Sequence, residues 1–163
     1  MRTEEQQEEI RRARKKAMNL LERMDRTEKG LLERLRQAGF STEAAQDALD
    51  YVKDYGYIDD ARYARNYITW RIHEKSRQRI FQELKQKGVD SGTIAAAWDA
   101  AAELEEPDER AVLLRTVEKK YPPGAELDER QMRRLYGYLA RRGFHAGDIA
   151  SVLEELDIKF IKM

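Results

Sequence analysis

Residues 31–40, LLERLRQAGF, set the pattern from which the fold is read. Leu31 and Leu35 lie one helical turn apart, Gly39 follows four residues later, and Phe40 comes directly after it. Glycine after a periodic apolar segment is the commonest helix stop, because it reaches the left-handed conformation without a Cβ penalty. The spacing returns as IFQELKQKGV at 80–89 and as LYGYLARRGF at 135–144. Ile80, Leu84, Gly88 and Val89 thus stand where Leu135, Leu139, Gly143 and Phe144 stand in the third copy.

Downstream of each glycine a second stripe repeats: Ala45, Ile94 and Ile149, then Ala48, Ala97 and Val152, then Leu49, Trp98 and Leu153. These offsets are the i, i+3, i+4 face of a second helix. Ser41 and Asp90 are polar starters able to accept from its free N–H groups, and His145 is a weaker cap in the third copy. Upstream, a further helical stretch is predicted at 17–24, 61–75 and 109–121, the last two opened by acidic cap signals at Asp60 and Asp108.

A motif matched at seven offsets, 49 and then 55 residues apart, is an internal repeat. The longer second spacing comes from the break at Pro122, Pro123 and Gly124, and Pro107 marks a boundary. The expected fold is all-α, three tandem three-helix repeats in an elongated array: a charged extension over 1–16, then repeats over 17–60, 61–106 and 107–163. Residues 1–16 read either as a frayed extension of the first helix or as disordered chain.

Apolar residues make up 41% of the 163 and charged residues 38%, which suits narrow stripes on helices and a thin core. Cysteine is absent, so disulfides and thiolate metal sites are excluded and a cytoplasmic setting is expected. No run approaches the ~18 apolar residues of a membrane span. The 31 bases and 31 acids cancel, which argues against whole-surface attraction to nucleic acid. Locally they do not cancel: residues 61–90 hold eight bases against three acids, and residues 96–130 hold ten acids against five bases.

Nothing in the chain suggests catalysis. His73 and His145 stand far apart with no carboxylate at metal-ligand spacing, and no phosphate loop, nucleophile elbow or zinc motif occurs. No cofactor is expected. On a helical wheel over 61–75, Tyr63, Tyr67 and Trp70 take one flank and Ala64, Ile68 and Ile72 the other. Arg71 lies between them, as a snorkelling or ion-paired residue at the core edge or as a partner-facing one. Arg62, Arg65, Asn66, Thr69 and His73 form a polar stripe opposite, either a solvated face or a binding one.

Ser76 reads as a helix cap followed by Arg77 and Arg79, cations at the helix end where the macrodipole disfavours them. An anionic partner would account for that placement. The helix–Gly–helix corners also resemble helix-turn-helix units, but the second helices carry acids that phosphate would repel. Candidate partner-binding residues are therefore Arg62, Arg65, Arg71, Lys75, Arg77, Arg79, Lys85 and Lys87.

The run YGYIDDARYAR at 55–65, followed by Ser76-Arg77, by ELKQKGV at 83–89 and by YLARRGF at 138–144, resembles the RecX family of recombinase regulators. The motif positions are Gly56, Tyr57, Asp59, Asp60, Arg62 and Tyr63; Asp59-Asp60 read as the cap joining the first two repeats, Tyr57 and Tyr63 as core. Asn66 and Thr69 depart from the motif helix by being polar, and the short tail over 158–163 reads as packing or contact. The resemblance implies a curved crescent of three units that acts as a monomer. Its implied partner is the filament of a RecA-type recombinase in DNA repair and the SOS response. Lodged in the filament groove, it would limit ATPase, strand exchange and coprotease activity. Single-stranded DNA within the filament is a further possible contact, and a stand-alone DNA-binding protein using the basic middle repeat is the rival reading.

Overall fold

The computed structural model describes residues 1–162 and shows three tandem three-helix repeats. The first comprises α1 (Glu4–Arg23), α2 (Glu28–Gln37) and α3 (Thr42–Asp54); the second, α4 (Asp60–Arg71), α5 (Arg77–Gln86) and α6 (Ser91–Glu105). The third comprises α7 (Glu109–Glu118), α8 (Glu129–Arg141) and α9 (Ala146–Glu155). Two short strands, β1 (Glu126–Leu127) and β2 (Lys159–Phe160), pair in parallel and were not foreseen. In the tail, Lys159 N–H donates to Ala125 O and Ile161 N–H to Leu127 O, and Ile158 is buried while Phe160 is exposed; Met163 lies outside the described residues.

The three glycine corners are built alike. Gly39, Gly88 and Gly143 have φ of 94°, 97° and 94°. In each, the residue after the glycine donates its N–H to the leucine four residues before the glycine: Phe40 to Leu35 O at 3.2 Å, Val89 to Leu84 O at 3.1 Å, Phe144 to Leu139 O at 3.1 Å. This closure satisfies carbonyls that the helix end would leave free and turns the chain into the next helix. Those three leucines are fully buried.

The segment left open at the N-terminus is helical. Thr3 and Gln6 form a reciprocal capping box, and Ile10 and Ala13 are buried, so α1 runs unbroken past residue 16. Arg14 holds Asp47 of α3 through two bonds of 2.7 and 3.1 Å and stacks on Tyr51. Ser41 N–H and Oγ–H both donate to Glu9, which lowers the Glu9 pKa.

The described chain forms two compact units, and these are not the repeats. One takes residues 1–67 and 84–99, the other residues 68–83 and everything from Ala100 onward, so the middle repeat contributes to both. The first unit has a core of Ala17, Leu31, Leu35, Ala48, Val52 and neighbours; the second has one of Leu113, Val117, Leu127, Leu135, Ile149 and neighbours.

A shared joint explains the division. In the first unit the α2 N-cap Thr27 donates its hydroxyl to Lys87 O at 2.6 Å, and Glu28 N–H donates to Asp60 Oδ1 at 2.9 Å. In the second unit the α5 N-cap Ser76 donates its hydroxyl to Arg142 O, and Arg77 N–H donates to Glu109 Oε1 at 2.6 Å. The start of each middle helix is thus held by the glycine corner and first-turn acid of the repeat that follows. Thr27 and Ser76 are the buried polar side chains among the described residues, and each also accepts from the N–H of its own helix three residues on.

Candidate partner-binding surface

The groups around each basic residue decide which cations are available. Gly56, with φ of 73°, closes α3 as the other glycines close their helices: Gly56 N–H donates to Lys53 O and Tyr57 N–H to Val52 O, both at 2.9 Å. Asp59 caps α4, accepting from Arg62 N–H at 3.1 Å. The sequence placed that cap at Asp60; the helix starts one residue earlier than that assignment requires, and Asp60 turns to the α2 start instead. Burial pushes the Asp60 carboxyl up, partly opposed by the Glu28 N–H it accepts.

Arg62 turns back onto its own motif. Its guanidinium donates to Gly56 O at 3.1 Å and Tyr57 O at 3.4 Å, with Asp25 at 3.9 Å. The motif residues Gly56, Tyr57, Asp59 and Arg62 therefore close a local knot that sets the course from α3 into α4. Tyr57, expected in the core, is 46% exposed and stacks on Tyr55, since the turn at Gly56 carries it outward. Tyr63 is half-buried and stacks on the buried Tyr67. On the same wheel Ala64, Ile68 and Ile72 are buried, whereas Trp70 is 80% exposed.

The eight predicted cations divide between the units. Arg62, Arg65, Lys85 and Lys87 belong to the first, Arg71, Lys75, Arg77 and Arg79 to the second. In the first, Arg65 and Lys85 are exposed and have no ion-pair partner among the described residues. Lys87 is exposed too, with its ammonium 5.8 Å from the Tyr67 ring centroid.

In the second unit Glu83 gathers Lys75, at 2.8 and 2.9 Å, and Arg79, whose Nε lies 3.3 Å away. Arg79 Nε is buried and points off the hydrogen-bond direction, so the pairing is one of charge alone. Arg77 lays its guanidinium over the Phe81 ring at 4.5 Å. The anion at the α5 start is the chain's own Glu109, bound to the backbone of Arg77. Arg71 is half-buried in the last turn of α4, where its carbonyl accepts from Glu74 and Lys75 N–H.

His73 pairs with Glu105 at 3.0 Å, and His145 makes no side-chain cap bond. Among the described residues no group of three or more His, Cys, Asp or Glu is placed to hold a metal, and no helix is long and apolar enough to cross a membrane. Sequence reading missed a second set of cations, Lys119, Lys120, Arg133, Arg134, Arg141 and Arg142, all in the second unit. The signal lies in the sequence: from Lys119 to Arg142 seven bases stand against three acids, downstream of the acid-rich stretch that ends at Glu109.

Three family models match in chain order: the RecX first three-helix domain over residues 13–51, the second over 59–97 and the third over 108–153. Similar relatives include a regulatory protein RecX of Legionella pneumophila (strain Corby), 32% identical over 89% of this chain and 95% of its own length. Another, from Thermobifida fusca (strain YX), is 32% identical over 93% and 83%. The crystal structure of RecX from Lactobacillus salivarius matches with a TM-score of 0.65 at 21% identity, covering 92% of this chain and 97% of that one, a likeness of fold.

Proposed function

The chain belongs to the RecX family, and from that premise we propose that it is a non-enzymatic regulator of a RecA-type recombinase, working in the cytoplasm on the nucleoprotein filament. It binds in the filament groove and limits ATPase, strand exchange and coprotease activity. The observation that carries this reading is the coverage of all three repeats, in order, by the family's three domain models. Within each compact unit the joint supports it, because it ties one repeat to part of the next by fixed contacts.

Exposed cations give such a surface its attraction where the net charge is zero. Arg65 and Lys85 suit that role better than Lys75 and Arg79, whose charges Glu83 already offsets. The test is the ATPase of a RecA-type recombinase on single-stranded DNA with this protein titrated in. Inhibition at or below equimolar ratio is expected, and Arg65→Glu with Lys85→Glu should weaken it severalfold while helicity stays intact. No inhibition by the unaltered chain would remove the recombinase reading; inhibition untouched by the double reversal would remove these two residues from it.

A further inference from the structure

We infer that the second compact unit carries a phosphodiester-binding surface on α8, built around Tyr138 and distinct from the basic residues of the middle repeat. A hollow of about 410 Å³ there is lined by Lys120, Arg133, Arg134, Gly137, Tyr138 and Arg141. Four of its six residues are cations and none is an acid. Arg133, Arg134, Gly137, Tyr138 and Arg141 fall at helical spacing on one face of α8, and Lys120 arrives from the turn after α7.

The cations are held close together. Lys120 Nζ lies 4.0 Å from the Tyr138 ring centroid and the Arg142 guanidinium 4.3 Å from it, so one ring carries two positive charges. Arg141 folds back over the bare backbone of Gly137, where an added Cβ would lie 3.2 Å from its Nη1. Among the described residues Lys120, Arg134 and Arg141 have no acidic partner, and Arg133 has only a largely exposed pair with Glu129 at 3.3 Å. Such a pair is worth little and exchanges readily.

An ordinary solvated helix face does not account for this. The macrodipole favours Arg141 in the last turn of α8, but it gives no reason for Arg133 and Arg134 two turns earlier, nor for Lys120 from another element. Like charges gathered without counter-charges repel, and a bound polyanion offsets the repulsion.

A nucleic-acid backbone fits better than an acidic peptide. From Arg134 to Arg141 the helix rises about 10 Å, a span over which a strand presents successive phosphates. Arginine forks suit phosphate oxygens. The one aromatic ring of the hollow, Tyr138, is already taken up by Lys120 and Arg142.

The test is fluorescence anisotropy of the full chain with a labelled 30-nucleotide single strand and, separately, with the matching duplex, across a salt series. Two arms separate the sources of the same phosphodiester chemistry. Arg134→Glu with Arg141→Glu should weaken binding about tenfold or more in the tighter arm and lower its salt slope by about two units. The milder Arg134→Gln with Arg141→Gln should show a smaller loss in the same arm, with the far-ultraviolet spectrum unchanged. Arg11→Glu with Lys15→Glu on exposed α1 makes the same change in net charge and should have little effect. The inference fails if neither arm binds at low salt, if the α8 variants fall no further than the α1 control, or if polyglutamate competes as well as nucleic acid at equal charge. None of these outcomes depends on whether a recombinase is inhibited.

Discussion

The corners at Gly39 and at Gly88 share one backbone geometry and differ in what surrounds them. A Cβ added at Gly39 would meet nothing within 4 Å, whereas at Gly88 it would lie 2.5 Å from both Cβ and Cδ of Lys29. Gly143 repeats the second case, with Gln78 Cβ at 2.7 Å and Ser76 Oγ at 3.0 Å. Glycine thus serves one purpose in the first repeat, the left-handed turn, and two in the others, the turn and the close approach of a preceding helix start. Among the described residues no helix start of another repeat is seated on the Gly39 corner.

Substitution at the corners probes that difference most strongly. Gly39→Ala should cost about 1–2 kcal/mol for the left-handed conformation alone. Gly88→Ala and Gly143→Ala should add an overpacking cost of about 1–3 kcal/mol. Urea denaturation midpoints rank the three, and equal losses would break the contrast. The caps come next. Ser76→Ala removes a helix cap and also leaves Arg142 O without its donor, so it should cost about 2 kcal/mol or more. Ser41→Ala, at an exposed corner, should cost about 1 kcal/mol.

The smallest effects are those of pH. Burial raises the Asp60 pKa in the folded state, so its charge lowers stability, and the loss grows as pH rises from the ordinary Asp range through the folded value. Asp60→Asn should therefore gain on the parent as pH rises through that window while keeping an acceptor for Glu28 N–H. Asp90 behaves in the opposite sense. Hydrogen bonds from the Thr93 hydroxyl and N–H lower its pKa, so its stabilisation is present above the ordinary Asp value and is lost on acidification through the lower folded value. Asp90→Asn should flatten that acid limb in stability curves measured against pH.

The corners, stripes and most caps were legible because each is a local rule written in side-chain type. Ser41, Ser76, Asp90 and Asp108 all cap as their identities predict, and His145 makes no cap bond. The joint was not legible. Its acceptors on Lys87 and Arg142 and its donors on Glu28 and Arg77 are backbone groups, which carry no signature of residue type, and its partners stand 32 to 66 residues apart. Among the candidate site residues, Arg62 could not be told from a solvent-facing cation until the carbonyls of Gly56 and Tyr57 were placed beside it. Trp70 shows the limit of the wheel: position on an apolar flank predicts a face, and burial depends on whether another element covers it.

The joint also bears on how such a chain can change in length. Among the described residues the first repeat carries only the donating half, Thr27 and Glu28, and the third only the receiving half, Glu109 with the Gly143 corner. The middle repeat carries both, since it receives through Asp60 and Lys87 O and donates through Ser76 and Arg77. A tandem duplication of the middle repeat would meet complementary halves on either side, while a duplication of either end would leave a mismatched seam. On these four contacts the middle repeat is the one whose copy would leave neither a donor nor an acceptor of the joint unmatched.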